Sequence, residues 1–131
     1  MIEIHTDGAC SRNPGPGGWA AIILGDGPKR GIHGKGPEEI TTNNRMEILA
    51  VINGLRDIPE GSHVTIFSDS EYVIKTMTEN WKRKKNEDFW LQLDKEVSRH
   101  KVNWKWIEAH AGNILNEEAD ALARKEARRE I

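Results

Sequence analysis

In the segment Asn13-Pro14-Gly15-Pro16-Gly17-Gly18-Trp19-Ala20-Ala21-Ile22-Ile23-Leu24, a turn is predicted to pass directly into a buried strand. Its two prolines lack N–H donors and its three glycines tolerate positive φ, so residues 13–18 are predicted to form a turn. The apolar run that follows predicts a buried strand over Trp19–Leu24. Upstream, Ile2 and Ile4 alternate with polar residues before Thr6, which predicts a strand with one buried face. Downstream, a turn at Gly25–Pro28 leads to a weaker strand at Arg30–Lys35. Tight turns between the three strands predict an antiparallel meander.

After the third strand, the spacing between apolar residues changes from two residues to three or four. Met46, Leu49, Ile52 and Leu55 predict an amphipathic helix over Asn43–Arg56, capped by Asn43 or Asn44 and ended by Pro59-Glu60-Gly61. The remaining predicted elements are a strand at His63–Ser68, helices at Ser70–Met77 and Asp88–His100, a strand at Val102–Ile107, and a helix at Asn116–Glu130 capped by Asn116. This order predicts an α/β fold: a mixed five-stranded sheet, in which two parallel strands join the meander, with flanking helices.

The size and composition of the chain bound what it can be. Its 131 residues predict a single domain spanning 1–131, and 37% hydrophobic residues suffice for a core. The longest apolar run, Trp19–Leu24, is far too short to cross a bilayer, so we expect no membrane association. The N-terminus has no secretory pattern, and Cys10 is the lone cysteine, so no intramolecular disulfide can form. We therefore expect a cytoplasmic protein.

The charge is unevenly distributed along the chain. The net charge is −2, yet residues 75–105 contain nine Lys or Arg against five acids, which leaves the rest of the chain at −6. The basic stretch also contains Trp81, Trp90 and Trp104. This combination suits a protein that holds phosphates at one place and metal cations at another, although a solvated helical face explains the lysines equally well.

Four carboxylates stand at positions from which the predicted fold can bring them together. Asp7 and Asp69 end two strands that we expect to be parallel neighbours, so both leave the same carboxyl edge of the sheet. Glu47, in the first turn of its helix, and Asp120 both have apolar residues three or four positions further on, so both point toward apolar surface rather than into bulk solvent. Clustered carboxylates repel one another unless cations lie between them, and oxygen clusters suit Mg²⁺ or Mn²⁺.

Each acid also has a purely structural interpretation. Asp7 and Asp69 are acceptable turn residues, Glu47 can complete a capping box with Asn44, and Asp120 can be a surface acid near a helix start. The joint arrangement, rather than any single residue, favours a metal site.

The same residues belong to five segments that resemble the successive motifs of type 1 ribonuclease H, in family order. The segments are Thr6-Asp7-Gly8-Ala9-Cys10, Asn13-Pro14-Gly15-Pro16-Gly17-Gly18, Thr41-Thr42-Asn43-Asn44-Arg45-Met46-Glu47, Ser68-Asp69-Ser70-Glu71-Tyr72-Val73, and His110-Ala111-Gly112 with Asn116-Glu117-Glu118-Ala119-Asp120-Ala121-Leu122-Ala123. One such motif is weak evidence, but five at compatible spacing are strong. The resemblance implies a ribonuclease H-like fold and an endoribonuclease that cuts the RNA strand of RNA/DNA hybrids, leaving 5′-phosphate and 3′-hydroxyl ends.

The resemblance also implies roles for individual residues. Asp7, Glu47, Asp69 and Asp120 would hold two Mg²⁺ ions, for which Mn²⁺ can substitute, with Asp7 shared by both ions. Asp120 would serve the nucleophile side, Glu47 and Asp69 the leaving-group side, and His110 would assist proton transfer or product release. The residues implied to bind substrate are Asn13, Asn43, Asn44 and Cys10 in the minor groove, Thr42 and Asn116 at a DNA-strand phosphate, and Trp81, Lys82, Lys84 and Lys85 in a basic segment.

Three departures from the family pattern predict weakened substrate binding. Ile40 stands where many members have a basic residue, Glu71 stands where many bacterial members have Gln, and the long basic arm is reduced to Trp81-Lys82-Arg83-Lys84-Lys85. The rival hypotheses are another polynucleotide phosphodiesterase of the integrase or resolvase kind, a hybrid-binding module without catalysis, and a structural domain with incidental acids. We expect a monomer with no obligate protein partner.

Overall fold

The computed structural model describes residues 1–128, which form one five-stranded sheet with helices on both faces. The elements are β1 (Ile2–Cys10), β2 (Gly17–Leu24), β3 (Arg30–Lys35), α1 (Asn43–Arg56), β4 (His63–Ser68), α2 (Glu71–Thr78), α3 (Glu87–Val97), β5 (Lys101–Trp106) and α4 (Ile114–Ala127). The strands lie in the order β3-β2-β1-β4-β5. β1, β2 and β3 pair antiparallel, whereas β4 pairs parallel with β1 and β5. The predicted mixed fold and element order are confirmed.

The alternation of side chains along the strands divides the core into two layers. Ile4, Ile23 and Ile66 pack with α1 and α3 in the larger layer. Ala20 and Ile22 pack with the alanine face of α4 in the smaller one. This division follows from the two-residue period of a strand, which sends successive side chains to opposite faces.

Two glycines allow the helices to approach the sheet closely. A Cβ at Gly8 would collide with the backbone of Met46 and Glu47 in α1. A Cβ at Gly18 would collide with the backbone of α4 at Ala123 and Ala127. Both helices that carry acids of the predicted metal site are therefore seated directly on the β1–β2 hairpin.

Several predicted boundaries are wrong, each for a local reason. β1 continues beyond Asp7 to Cys10, because β2 begins at Gly17 and the hairpin pairs Cys10 with Gly17. α1 is capped by the Thr42 hydroxyl, which accepts a hydrogen bond from the Arg45 N–H, and not by Asn43 or Asn44. α2, α3 and β5 differ from prediction by one to three residues at an end, as expected for fraying termini.

The last helix begins earlier than predicted. Asn113 is its cap, and its Oδ1 accepts a hydrogen bond of 3.0 Å from the Asn116 N–H. Asn116 therefore lies inside the helix, where its own side chain can contact other groups. Residues 129 and 130 of the predicted helix lie outside the described residues. Within residues 1–128, every helix is too short or too polar to cross a bilayer.

Candidate active site

Asp7 and Asp69 leave the sheet at one edge, as the parallel pairing of β1 with β4 predicts. The last parallel pair joins Thr6 to Ser68, and an aspartate follows each of them. Asp7 is 4% exposed, and its Oδ1 accepts a hydrogen bond of 2.9 Å from the Gly8 N–H. Asp69 accepts two bonds that fix its position, one on its backbone oxygen from Trp106 Nε1 at 3.2 Å and one on Oδ2 from Asn116 Nδ2 at 3.3 Å.

Glu47 reaches the same place from α1, because Gly8 lets that helix approach β1. It is the fifth residue of the helix and so lies beyond the first turn. The capping-box interpretation of Glu47 is wrong, because Thr42 supplies the cap. Carboxylate oxygens of Asp7, Glu47 and Asp69 lie within 4.8 Å of one another; we call these three residues the acid triad. Glu47 Oε1 is buried without a hydrogen-bond partner, which is costly for a carboxylate oxygen unless a ligand engages it.

Asp120 joins the acid triad from α4, but its surroundings differ. It lines the same cleft of about 370 Å³, close enough to Asp7 to help raise the pKa of that residue. Its Oδ2 also forms an ion pair with Arg124 Nε at 3.1 Å, one helical turn further on. The four predicted acids thus share one cleft, in which three lie close together and the fourth is held by a cation.

The carboxyl groups of this cleft have strongly perturbed acidities. Burial, then the charge of Asp69 and the hydrogen bond with Asp120, raise the pKa of Asp7 to about 8. Burial and the charge of Asp7 raise the pKa of Glu47 well above its usual range. Both shifts come from surroundings that disfavour negative charge, and a divalent cation among these oxygens would reverse that preference. An all-oxygen donor set of this kind fits Mg²⁺ or Mn²⁺.

His110 lies on the loop between β5 and α4, next to Ala109, which lines the cleft. Its backbone has φ of 56°, in the left-handed region, and its side chain is exposed. The structure therefore places this histidine next to a residue that lines the cleft, outside the acid triad.

The residues predicted to bind substrate fall on two loops that are joined together. The backbones of Gly15 and Thr41 form a two-residue antiparallel bridge, and Asn13 Oδ1 accepts a hydrogen bond of 3.2 Å from the Asn43 N–H. Cys10 and Asn43 line the acidic cleft, and Asn44 is exposed beside them. The loops therefore present polar groups immediately beside the four acids.

The basic segment follows α2 and is held by packing and charge. Trp81 is 43% exposed and lies under the ammonium of Lys75, whose Nζ is 5.5 Å from the ring centroid. Arg83 instead turns inward, onto the Trp90 ring and the Asp94 carboxylate. The outward-facing cations are Lys82, Lys84 and Lys85, all of which are exposed.

The contacts of two arginines near the site were not predicted from the sequence. Arg45 contacts Asp88 through two nitrogens at 2.9 and 2.8 Å, and Nη1 also donates to Asn86 Oδ1, so the start of α3 is held against α1. This hydrogen bonding lowers the pKa of Asp88 to about 2.

Arg124, which lines the acidic cleft and pairs with Asp120, was not predicted as a site residue. Its spacing of four residues from Asp120 on a predicted helix was the available signal.

Comparison with known proteins agrees with this geometry. The family model described as RNase H matches residues 1–128. The ribonuclease H of Bordetella pertussis is 48% identical over 136 residues, covering 94% of this chain and 86% of the relative. An N-terminal RNase H domain from Mycobacterium tuberculosis superposes with a TM-score of 0.84 at 24% identity, covering 98% of this chain and 94% of that one. LC11-RNase H1, crystallised with an RNA/DNA hybrid, superposes with a TM-score of 0.82 at 22% identity, covering 98% of each chain. Because the family model matches nearly the whole of this chain and the four acids share one cleft, the chain belongs to the ribonuclease H family of metal-dependent endonucleases.

Proposed function

We propose that this protein hydrolyses the RNA strand of RNA/DNA hybrids, using two Mg²⁺ ions and leaving 5′-phosphate and 3′-hydroxyl ends. The observation that carries the proposal is the convergence of Asp7, Glu47, Asp69 and Asp120 on one cleft beside polar loops. Membership of the ribonuclease H family supports the reaction, and the residue types support the metal.

The four acids would hold the ions through their carboxylate oxygens. Bound there, a pair of Mg²⁺ ions would activate water and stabilise the charge of the departing oxygen. The protein's own contribution is rigidity, because Asp7 is fixed by the Gly8 N–H and Asp69 by Asn116 and Trp106. Carboxylate ligands that are already held in place need little reorganisation at the moment of reaction.

His110 is proposed to carry a proton to or from the reacting groups. Histidine is a common general acid or base, and the exposed side chain of His110 can exchange protons with solvent. Its loop position, rather than burial in the cleft, suits a group that acts after the substrate is seated.

Discrimination of the two strands is assigned to the joined loops. We assign Asn13, Asn43, Asn44 and Cys10 to the minor groove of the hybrid, because Cys10 and Asn43 line the acidic cleft and amide groups can sense 2′-hydroxyls on one strand. Thr42 and Asn116 are proposed to contact a DNA-strand phosphate. Both also have structural partners, the Arg45 N–H and the Asp69 carboxylate respectively.

The basic segment would extend the contact along the backbone. Lys82, Lys84 and Lys85 face outward and Trp81 offers a partly exposed ring, which together suit phosphates and sugars. We further propose that residues 1–131 form one catalytic domain, acting as a cytoplasmic monomer; the lone Cys10 is consistent with a reducing compartment.

The proposal is tested with labelled substrates in Mg²⁺: an RNA/DNA hybrid, single-stranded RNA, duplex RNA and duplex DNA. Asp7→Asn and the surface variant Asp88→Asn are assayed in parallel. We expect cleavage of the hybrid's RNA strand alone, abolished by Asp7→Asn and retained by Asp88→Asn. Cleavage of duplex DNA would favour a recombinase-like enzyme, and tight hybrid binding without cleavage would favour a binding module.

A further inference from the structure

Asp120 differs from the acid triad in having a cationic partner within the cleft. Arg124 Nε lies 3.1 Å from Asp120 Oδ2, and the two residues are one turn apart on α4. Arg124 is the one basic side chain that lines the cleft in the described part of the chain. Its guanidinium therefore occupies a carboxylate oxygen that the proposed function needs as a metal ligand.

The two partners are unequally buried. The Arg124 side chain is 58% exposed, whereas that of Asp120 is 19% exposed. Asp120 also shares the cleft with the buried Asp7. Moving the guanidinium into solvent costs little, because an exposed ion pair contributes little free energy. The arginine can leave while the aspartate stays.

We propose that Arg124 is a positioning residue that serves as an internal counter-ion for Asp120, and that a divalent cation must displace it. The guanidinium neutralises and orients Asp120 while no cation is bound there. The cation and the guanidinium then compete for the same oxygen, and their like charges repel at this distance. Arg124 thereby sets the cation concentration at which Asp120 becomes a ligand. This inference rests on the proposed function for the identity of Asp120 as a ligand.

The first test measures the Mg²⁺ dependence of hybrid cleavage in Arg124→Gln. The matched control is Lys125→Gln, which removes the same charge from the neighbouring exposed position of α4. We expect the half-saturating Mg²⁺ concentration to fall about two- to fivefold in Arg124→Gln, the range that a partly exposed ion pair accounts for. We expect no change in Lys125→Gln. An unchanged or increased Mg²⁺ requirement in Arg124→Gln would overturn the proposal.

The second test needs no substrate, so it separates this inference from the proposed function. The arginine Nε–Hε signals and the aspartate carboxyl carbons are followed by NMR during a Mg²⁺ titration. We expect the Arg124 signal to move together with the Asp120 carbon, and this response to disappear in Asp120→Asn. An Arg124 signal that stays constant while the Asp120 carbon moves would refute the displacement. Absence of hybrid cleavage by the unsubstituted protein would refute the proposed function and leave this result standing.

Discussion

Asp7 and Asp69 are the two residues that directly follow the last parallel pair of β1 and β4, so the strand register itself places their carboxylates side by side. β1 continues beyond this point on its other edge, where it pairs with β2 as far as Cys10. Asp7 therefore lies inside a strand and is more rigidly held than a residue at a strand end. The cleft combines this rigidity with burial, so the negative charge of Asp7 is electrostatically unfavourable when no cation is bound.

In the absence of divalent cations, Asp7→Asn is expected to stabilise the protein increasingly as pH rises. The pKa of Asp7 is raised from 3.8 to about 8 by burial and by Asp69, so the folded state binds this proton more tightly than the unfolded chain does. The associated stability is full below about pH 4 and is lost as pH rises toward 8. The variant's advantage in unfolding free energy should therefore grow across that window, by at most about 1.4 kcal/mol per pH unit.

Urea denaturation in EDTA at pH 4.5, 6.5 and 8.5 measures this difference. Asp88→Asn is the control, because Arg45 lowers the pKa of Asp88 to about 2 and the stability it contributes is constant above about pH 5. A stability difference between Asp7→Asn and the unsubstituted protein that is the same at all three pH values would contradict the assignment.

Ile40→Arg is expected to tighten substrate binding. Ile40 is 69% exposed and stands two residues before Thr42, which we propose contacts a DNA-strand phosphate. A cation there would add about one phosphate contact, lowering KM several-fold at low salt and steepening its salt dependence by about one counterion. Steady-state kinetics at several salt concentrations measure both effects. Ile40→Gln, polar but uncharged, should leave KM nearly unchanged; an equal effect of both variants would contradict a phosphate contact.

The double variant Lys84→Gln with Lys85→Gln is expected to raise KM for the hybrid while kcat is retained. Both lysines are exposed on the basic segment and lie away from the acid triad in the sequence. Loss of two phosphate contacts should reduce the salt slope of binding by about two. Lys101→Gln is the control, because Lys101 begins β5 at the end opposite to the cleft. If Lys101→Gln raises KM equally, the effect is one of net charge alone.

The sequence predicts the fold well because its signals are local and mutually consistent. The turn at Asn13–Gly18, the two-residue alternation at Ile2 and Ile4 and the helical period of α1 each specify one element. The element order then restricts the sheet to a mixed topology. The convergence of the four acids follows from that topology, since strand ends and helix faces are placed by it.

What the sequence did not predict depends on choices between neighbouring polar residues. Asn113 and Asn116 are both good caps, and only the folded helix shows that the first is used and the second contacts Asp69. Likewise, Thr42 caps α1 in the structure, although Asn43 and Asn44 are equally acceptable cap residues by type. The pairing of Arg124 with Asp120 depends on side-chain rotamers, which a spacing of four permits without requiring.

Metal-dependent hydrolysis by the four carboxylates is tested most directly by identifying the ends of the RNA fragments released from one defined hybrid. A hybrid with a short ribonucleotide stretch is incubated with Mg²⁺, and the ends of the RNA fragments are identified by mass spectrometry. We expect 5′-phosphate and 3′-hydroxyl ends, with no reaction in EDTA and none in Asp7→Asn. Fragments ending in a 2′,3′-cyclic phosphate or 3′-phosphate, or cleavage that persists in EDTA, would contradict metal-dependent hydrolysis by the four carboxylates.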